Sequence, residues 1–171
     1  SAKVVTGNAE AISAENWQGK SYSAANKVNI ADYFEENTQY HYQYTDNYTG
    51  DDSVWSAEYD YTTKVTDKFS VILTGDPQVG ASGSSSDYSA NDASVARDAY
   101  NWNKTMQQAL KTCPNASFLL SAGDQINQSG ATKDNDKKTR ESEYAGYLYP
   151  SVFRSLPIAA TIGNHDMAGS D

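Results

Sequence analysis

Hydrophobic and polar positions follow two different periods along the chain. Up to about residue 66 the period is two: Tyr40, Tyr42 and Tyr44 alternate with Gln39, His41 and Gln43. Trp55, Ala57, Tyr59 and Tyr61 then alternate with Ser56, Glu58, Asp60 and Thr62. Alternation of this kind turns one aromatic face toward a core and one polar face toward water. Residues 45–53, rich in Asp, Asn, Gly and Thr, suit a hairpin connection. Val28 and Ile30 suggest a further short strand. Residues 1–66 are therefore expected to form an antiparallel, sandwich-like β module. Too few strands can be counted for a closed sandwich, so the module is expected to be partial.

From residue 67 to 171 the pattern becomes strand, helix, strand, helix, strand. Phe69 to Thr74 is a continuous apolar run, expected of a strand buried on both faces. A Gly/Ser loop from Gly80 to Ser89 follows. From Asn91 onward Val95, Ala99, Trp102, Met106 and Leu110 recur at helical spacing, and Pro114 stands beyond the stop. Ser117 to Ala122 predicts a second buried strand. The polar run Asn127 to Thr139 predicts a loop, its Lys133 to Arg140 portion a solvated stretch feeding a helix over Arg140 to Tyr149. Pro157 to Ile162 predicts a third strand. Alternating strands and helices imply a mainly parallel α/β sheet.

Composition narrows the function classes. The 171 residues carry 13 Lys and Arg against 22 Asp and Glu, a formal net charge of −9. A nucleic-acid backbone is not the expected partner, because phosphates need a basic stripe and none is visible. Anionic substrates stay open, since a bound metal can supply positive charge locally. No stretch has the apolar length of a membrane span. The single cysteine, Cys113, cannot close an intrachain disulfide, and it reads as a buried small hydrophobe.

Candidate chemistry gathers at the strand ends. Each predicted buried strand closes on glycine and then an oxygen-bearing side chain: Gly75-Asp76-Pro77-Gln78, Gly123-Asp124-Gln125 and Gly163-Asn164-His165-Asp166. Parallel strands bring their carboxyl ends to one edge, where open α/β sheets bind ligands. Asp76, Asp124, Asn164 and His165 are thus expected to converge on one cleft. Two carboxylates, an amide oxygen and an imidazole suit hard or borderline divalent metals. Taken singly, each Asp or Asn equally serves as a helix cap or Asx turn. Three in register on three strands favour the metal. Asp166 is expected to orient His165 or a neighbouring loop rather than bind metal.

These three segments, in order, resemble the first three motifs of calcineurin-like metallophosphoesterases. The Tyr-rich segment before them, with Trp55-Ser56, resembles the fibronectin-type domain that precedes the catalytic domain of purple acid phosphatases. The resemblance implies a dinuclear centre of iron, manganese or zinc. In it Asp76 would ligate one metal, Asp124 would bridge the two, and Asn164 would ligate the second. His165 would stabilise the transferring phosphoryl group or protonate the leaving oxygen. It also implies a phosphoric-ester substrate, hydrolysed by a metal-activated water, and an exported bacterial protein, secreted or held at the cell surface.

The chain departs from that pattern at two positions. Gln78 stands where many members have histidine, so it either binds weakly, through water, or serves only as a loop residue. Asn127 stands where the purple enzymes have a metal-bound tyrosine, so no ferric charge-transfer colour is expected. The family completes its metal shell with later histidines, whereas this sequence holds only His41 and His165. A two-metal site needs several protein ligands per ion, and three parallel strands alone leave an unpaired apolar edge. The chain is therefore expected to be the N-terminal portion of a longer enzyme, inactive until a missing C-terminal half completes its site. The rival expectations are a surface or carbohydrate-binding protein, in which the β module does the work, and a catalytically silent relative.

Overall fold

A computed structural model describes residues 2–17, 20–82, 92–128 and 134–167. The chain divides into two compact units, Ser1–Thr66 and Asp67–Asp171.

The first unit contains two separate antiparallel pairs. Strands β1 (Asn8–Trp17) and β2 (Lys20–Lys27) form one, with a register irregularity between Ala11 and Glu15. Strands β3 (Gln39–Tyr42) and β4 (Tyr59–Thr62) form the other, setting Tyr40 opposite Tyr61 and Tyr42 opposite Tyr59. The tyrosines share one face with Phe34, whose ring lies 4.6 Å from Tyr40 and 5.7 Å from Tyr61. The other face is polar and pairs His41 Nδ1 with Asp60 Oδ1 at 2.6 Å. Buried Thr63 closes the pair, donating to Glu35 O at 2.5 Å and accepting from Thr38 N at 2.9 Å.

Two expectations fail in this unit. Val28 and Ile30 lie outside any strand, half exposed, and lead into a 3-10 turn at Ala31–Tyr33. Among the described residues no strand pairs with them, and an unpaired apolar alternation cannot hold a strand. Tyr44 and Trp55, expected against a core, are 63% and 38% exposed. Both lie beyond the strand ends, where Tyr44 stacks on Tyr59 at 6.2 Å and Trp55 meets Tyr48 at 6.1 Å.

The second unit is built on a parallel sheet in the order β5-β6-β7, with β5 (Val71–Thr74), β6 (Phe118–Ser121) and β7 (Ile158–Ala160). Two helices connect them, α1 (Asp92–Thr112) and α2 (Asp134–Tyr147). Ile72 and Leu119 point into a core with Val95, Trp102 and Met106 of α1 and Tyr147 of α2. Trp102 stacks on Tyr147 at 5.6 Å and donates its indole N–H to the Tyr147 carbonyl at 2.9 Å, so a polar handle inside the core is satisfied. Gly146 lets the helices close: a Cβ there would meet Val79 Cγ1 at 2.9 Å and Val95 Cγ1 at 3.1 Å. Cys113 is half-buried against the same cluster.

Among the described residues of this unit, the sheet is covered on one face. Phe69, Val71 and Leu73 are exposed while Ile72 is buried, so the expected double burial of this strand does not hold among the described residues. The helix expected from Arg140 begins earlier, at Asp134, and ends at Tyr147. Within it Arg140 is 8% exposed, not solvated. The Gly/Ser loop beyond Ser82, the helix start at Asn91 and Lys133 lie outside the described residues. Among those described, no helix is long and apolar enough to cross a membrane.

Candidate metal centre

Three segments leave the carboxyl ends of β5, β6 and β7 and lie against one another through their backbones. Thr74 O accepts from Ala122 N at 2.8 Å, and Gly123 O from Asp76 N at 3.3 Å. Gln78 N donates to Asp124 O at 2.9 Å, Val79 N to Gln125 O at 3.1 Å, and Asn127 N to Val79 O at 3.1 Å. The first two segments thus continue the parallel pairing beyond the sheet, ending in an isolated bridge between Val79 and Ile126. The third joins at its own turn: His165 N donates to Asp124 Oδ1 at 2.9 Å.

Glycine makes the approach possible. A Cβ on Gly123 would sit 2.7 Å from Gly163 N, and Gly123 itself has φ +104, a conformation that other residues rarely tolerate. Backbone strain collects at the same place. Asp76 (φ 52), Gln78 (φ 35) and Asp124 (φ 51) are three of the four non-glycine residues with positive φ among those described. Such conformations cost of order 1 kcal/mol each and persist where surrounding structure over-determines them, often at functional sites.

The structure brings Asp76, Gln78, Asp124 and His165 together. Gln78 Nε2 donates to Asp76 Oδ1 at 3.4 Å. The Asp124 carboxyl is held below its ordinary range, first by the His165 backbone N–H. Burial opposes this, and hydrogen bonding with the Asp76 and Gln78 side chains adds to it. Asp124 is therefore ionised wherever the protein is folded near neutrality. Asn164 is exposed at the rim one residue before His165. The His165 ring is half-buried, and its Nδ1 meets the carbonyl oxygen of Asn127. His41 belongs to the other unit, with Asp60 as its partner.

Asp166 ties the rim together. Its Oδ1 accepts from Gln125 N at 3.0 Å and from the Tyr144 hydroxyl at 3.3 Å, and its Oδ2 from Gly163 N at 2.9 Å. Burial, then the Asp166 charge, pushes the Tyr144 phenol up to about 12, so it stays a donor at all relevant pH. Gln125 is 4% exposed and links β6 to the residue after β7, donating to Ser121 Oγ at 3.1 Å and to Thr161 O at 2.9 Å. Behind the rim, α2 contributes Arg140 and Glu143, both buried. Glu143 carries no signal of this role in the strand-end motifs, and neither Gln125 nor Arg140 is marked there as a supporting group. The i, i+3 spacing of Arg140 and Glu143, on one helix face with Tyr147, was the available signal.

Among the described residues no group of three His, Cys, Asp or Glu side chains is placed to hold a metal ion. The donors at the rim are instead two carboxylates supplemented by amide oxygens, from Asp76, Asp124, Gln78 and Asn164. That set fits an oxygen-seeking divalent cation such as Mn or Mg better than zinc, which favours imidazole and thiolate. No family model, curated protein or solved structure matches this chain.

Proposed function

We propose that the Asp67–Asp171 unit carries the metal-binding rim of a calcineurin-like phosphoesterase. In this reading Ser1–Thr66 is a fibronectin-like, sandwich-type β module preceding it. Asp76, Asp124 and Asn164 hold the metal ions, Gln78 completes the shell directly or through water, and His165 faces the phosphoryl group. The observation that carries this is the meeting of three strand-exit segments around Asp124, with strained carboxylates held against a glycine-lined turn.

The residues divide the work as follows. Asp124, kept ionised by a backbone N–H, supplies a permanent negative charge between the second and third segments. Asp76 supplies a second charge from the first. His165, anchored at Nδ1, can direct its other nitrogen toward an anion or a leaving oxygen. When bound, paired divalent ions lower the pKa of water and offset phosphoryl charge. A dinuclear centre of iron, manganese or zinc, a phosphoric-ester substrate and export, either secreted or to the cell surface, belong to the same proposal. The oxygen-rich rim favours manganese or iron among them.

Manganese binding tests this reading. Free Mn2+ is followed by electron paramagnetic resonance while the 171-residue chain is added. Retention by the wild type, with clear weakening in Asp124→Asn and Asp76→Asn, is expected. Equal retention by all three proteins would remove the carboxylates from the proposal.

One observation favours a second reading. Tyr44, Tyr48 and Trp55 are all exposed, at 63%, 51% and 38%, in one aromatic stretch of the first unit. Exposed rings stack on sugar faces, so a carbohydrate-binding role for the β module is the rival. Retarded migration in gels containing soluble polysaccharide, abolished by Trp55→Ala, would favour it.

A further inference from the structure

Helix α2 buries two side chains of opposite charge, Arg140 at 8% exposure and Glu143 at 1%. Burying a charge is costly unless its hydrogen-bonding capacity is filled. Here the partners are backbone groups of residues 127–128 and 165–167. Glu143 Oε2 accepts from Asn127 N at 3.1 Å and Gln128 N at 2.7 Å. Arg140 Nη1 donates to Gln128 O at 2.7 Å, His165 O at 2.9 Å and Met167 O at 3.5 Å. Its Nη2 donates to Asp166 O at 2.6 Å. The planar fork of arginine spans both segments, a geometry a lysine ammonium cannot reproduce.

The His165 ring lies within this arrangement. Its Nδ1 meets the Asn127 carbonyl oxygen, and the N–H of that same Asn127 is held by Glu143. The carbonyl of His165 itself is held by Arg140. A carbonyl oxygen only accepts, so the proton of a neutral ring is on Nδ1 and its lone pair on Nε2. We propose that Arg140 and Glu143 are positioning residues that lock the His165 imidazole in its Nδ1–H tautomer, leaving Nε2 to meet the substrate. The catalytic meaning of this rests on the phosphoesterase reading, but the tautomer lock stands on the chain alone.

Nuclear magnetic resonance tests it directly. With two histidines in the chain, a long-range nitrogen–proton spectrum contains two ring patterns, and His41→Gln assigns them. At a pH where the ring is neutral, His165 is expected to show a single Nδ1–H pattern. Glu143→Gln, whose amide oxygen still accepts, keeps it. Glu143→Ala and Arg140→Ala lose it and give the mixed pattern of an unrestrained imidazole. If Arg140→Ala does not fold, Arg140→Lys provides the same readout, since it keeps charge and loses the fork. Leu156→Ala, equally buried in the same unit, lowers stability yet leaves the pattern unchanged, which separates positioning from general support. An Nε2–H ring in the wild type, or an unaltered Nδ1–H ring in folded Glu143→Ala and Arg140→Lys, would overturn the proposal. The spectrum needs no metal, so a locked ring without Mn2+ retention would count against the phosphoesterase reading alone.

Discussion

Replacing Gly163 by alanine is the sharpest perturbation of the rim. A Cβ at that position would overlap Asp124 Oδ1 and the Asp124 amide nitrogen, and would lie 2.7 Å from Asp124 Cγ. The carboxylate can rotate away, but only by giving up its bond from His165 N. The amide nitrogen cannot rotate, so the second and third segments must separate. Overpacking of this kind costs about 1–3 kcal/mol, and a hydrogen bond to a charged acceptor contributes about 1.5–3 kcal/mol. The two costs overlap, because relieving one incurs the other, and a combined loss of about 2–4 kcal/mol follows. With urea slopes near 1–3 kcal/mol per M, the midpoint should fall by roughly 1–2 M. The assay is urea unfolding followed at the amide signals of Met106 and Leu119, both in the core of the second unit. Gly75→Ala is the control, since its Cβ meets only Ala122 Cβ at an ordinary 3.7 Å. A Gly163→Ala midpoint equal to that of the control would refute the close approach of the segments.

Other expectations follow from the same geometry. Burial, opposed by the Asn127 and Gln128 amides, pushes the Glu143 carboxyl up from 4.5 to about 7. Between those values the folded protein holds a proton that the unfolded chain has released, so stability falls as pH rises from about 4.5 to 7 and is flat above. At 1.36 kcal/mol per pH unit the penalty is at most ~3 kcal/mol. Glu143→Gln should remove that slope from urea midpoints measured across the window, and an unchanged slope would assign it elsewhere. Leu119→Ala, at a fully buried position, should cost about 2–5 kcal/mol in the second unit's unfolding; a loss below 1 kcal/mol would mean a looser core. Trp102→Phe removes the bond to the Tyr147 carbonyl and leaves a buried acceptor unmet. It should cost about 1–3 kcal/mol, and amide exchange should quicken first at the end of α2.

How much of this was legible in the sequence depends on where each signal resides. Helix α1 was readable because Val95, Ala99, Trp102 and Met106 keep a 3.6 period, and all four are buried. The first turns of α2 were not, because residues 134–138 are uniformly polar and carry no period. For the same reason Arg140 reads as solvated, although its backbone partners allow it to be buried. The β1–β2 pair escaped notice since its Ala, Ser and Asn content lacks the β-branched signature of a strand. Tyr44 and Trp55 continue an alternation past the point where pairing stops, so period alone overstated their burial. At the rim, glycine followed by Asp or Asn marked the three strand exits. Several contacts that couple them have a backbone atom on one side, such as the Asn127 carbonyl that meets the His165 ring, and the sequence does not announce such a partner.

Paramagnetic broadening tests most directly whether the three strand exits form one cation site. Mn2+ is added at substoichiometric amounts to the isotopically labelled chain, and amide signals are followed residue by residue. Asp76, Gly123, Asp124, Asn164 and His165 are expected to broaden together, before Met106 in the core of the same unit, and to recover in Asp124→Asn. Broadening confined to one of the three segments, or spread evenly over the acidic surface, would contradict it.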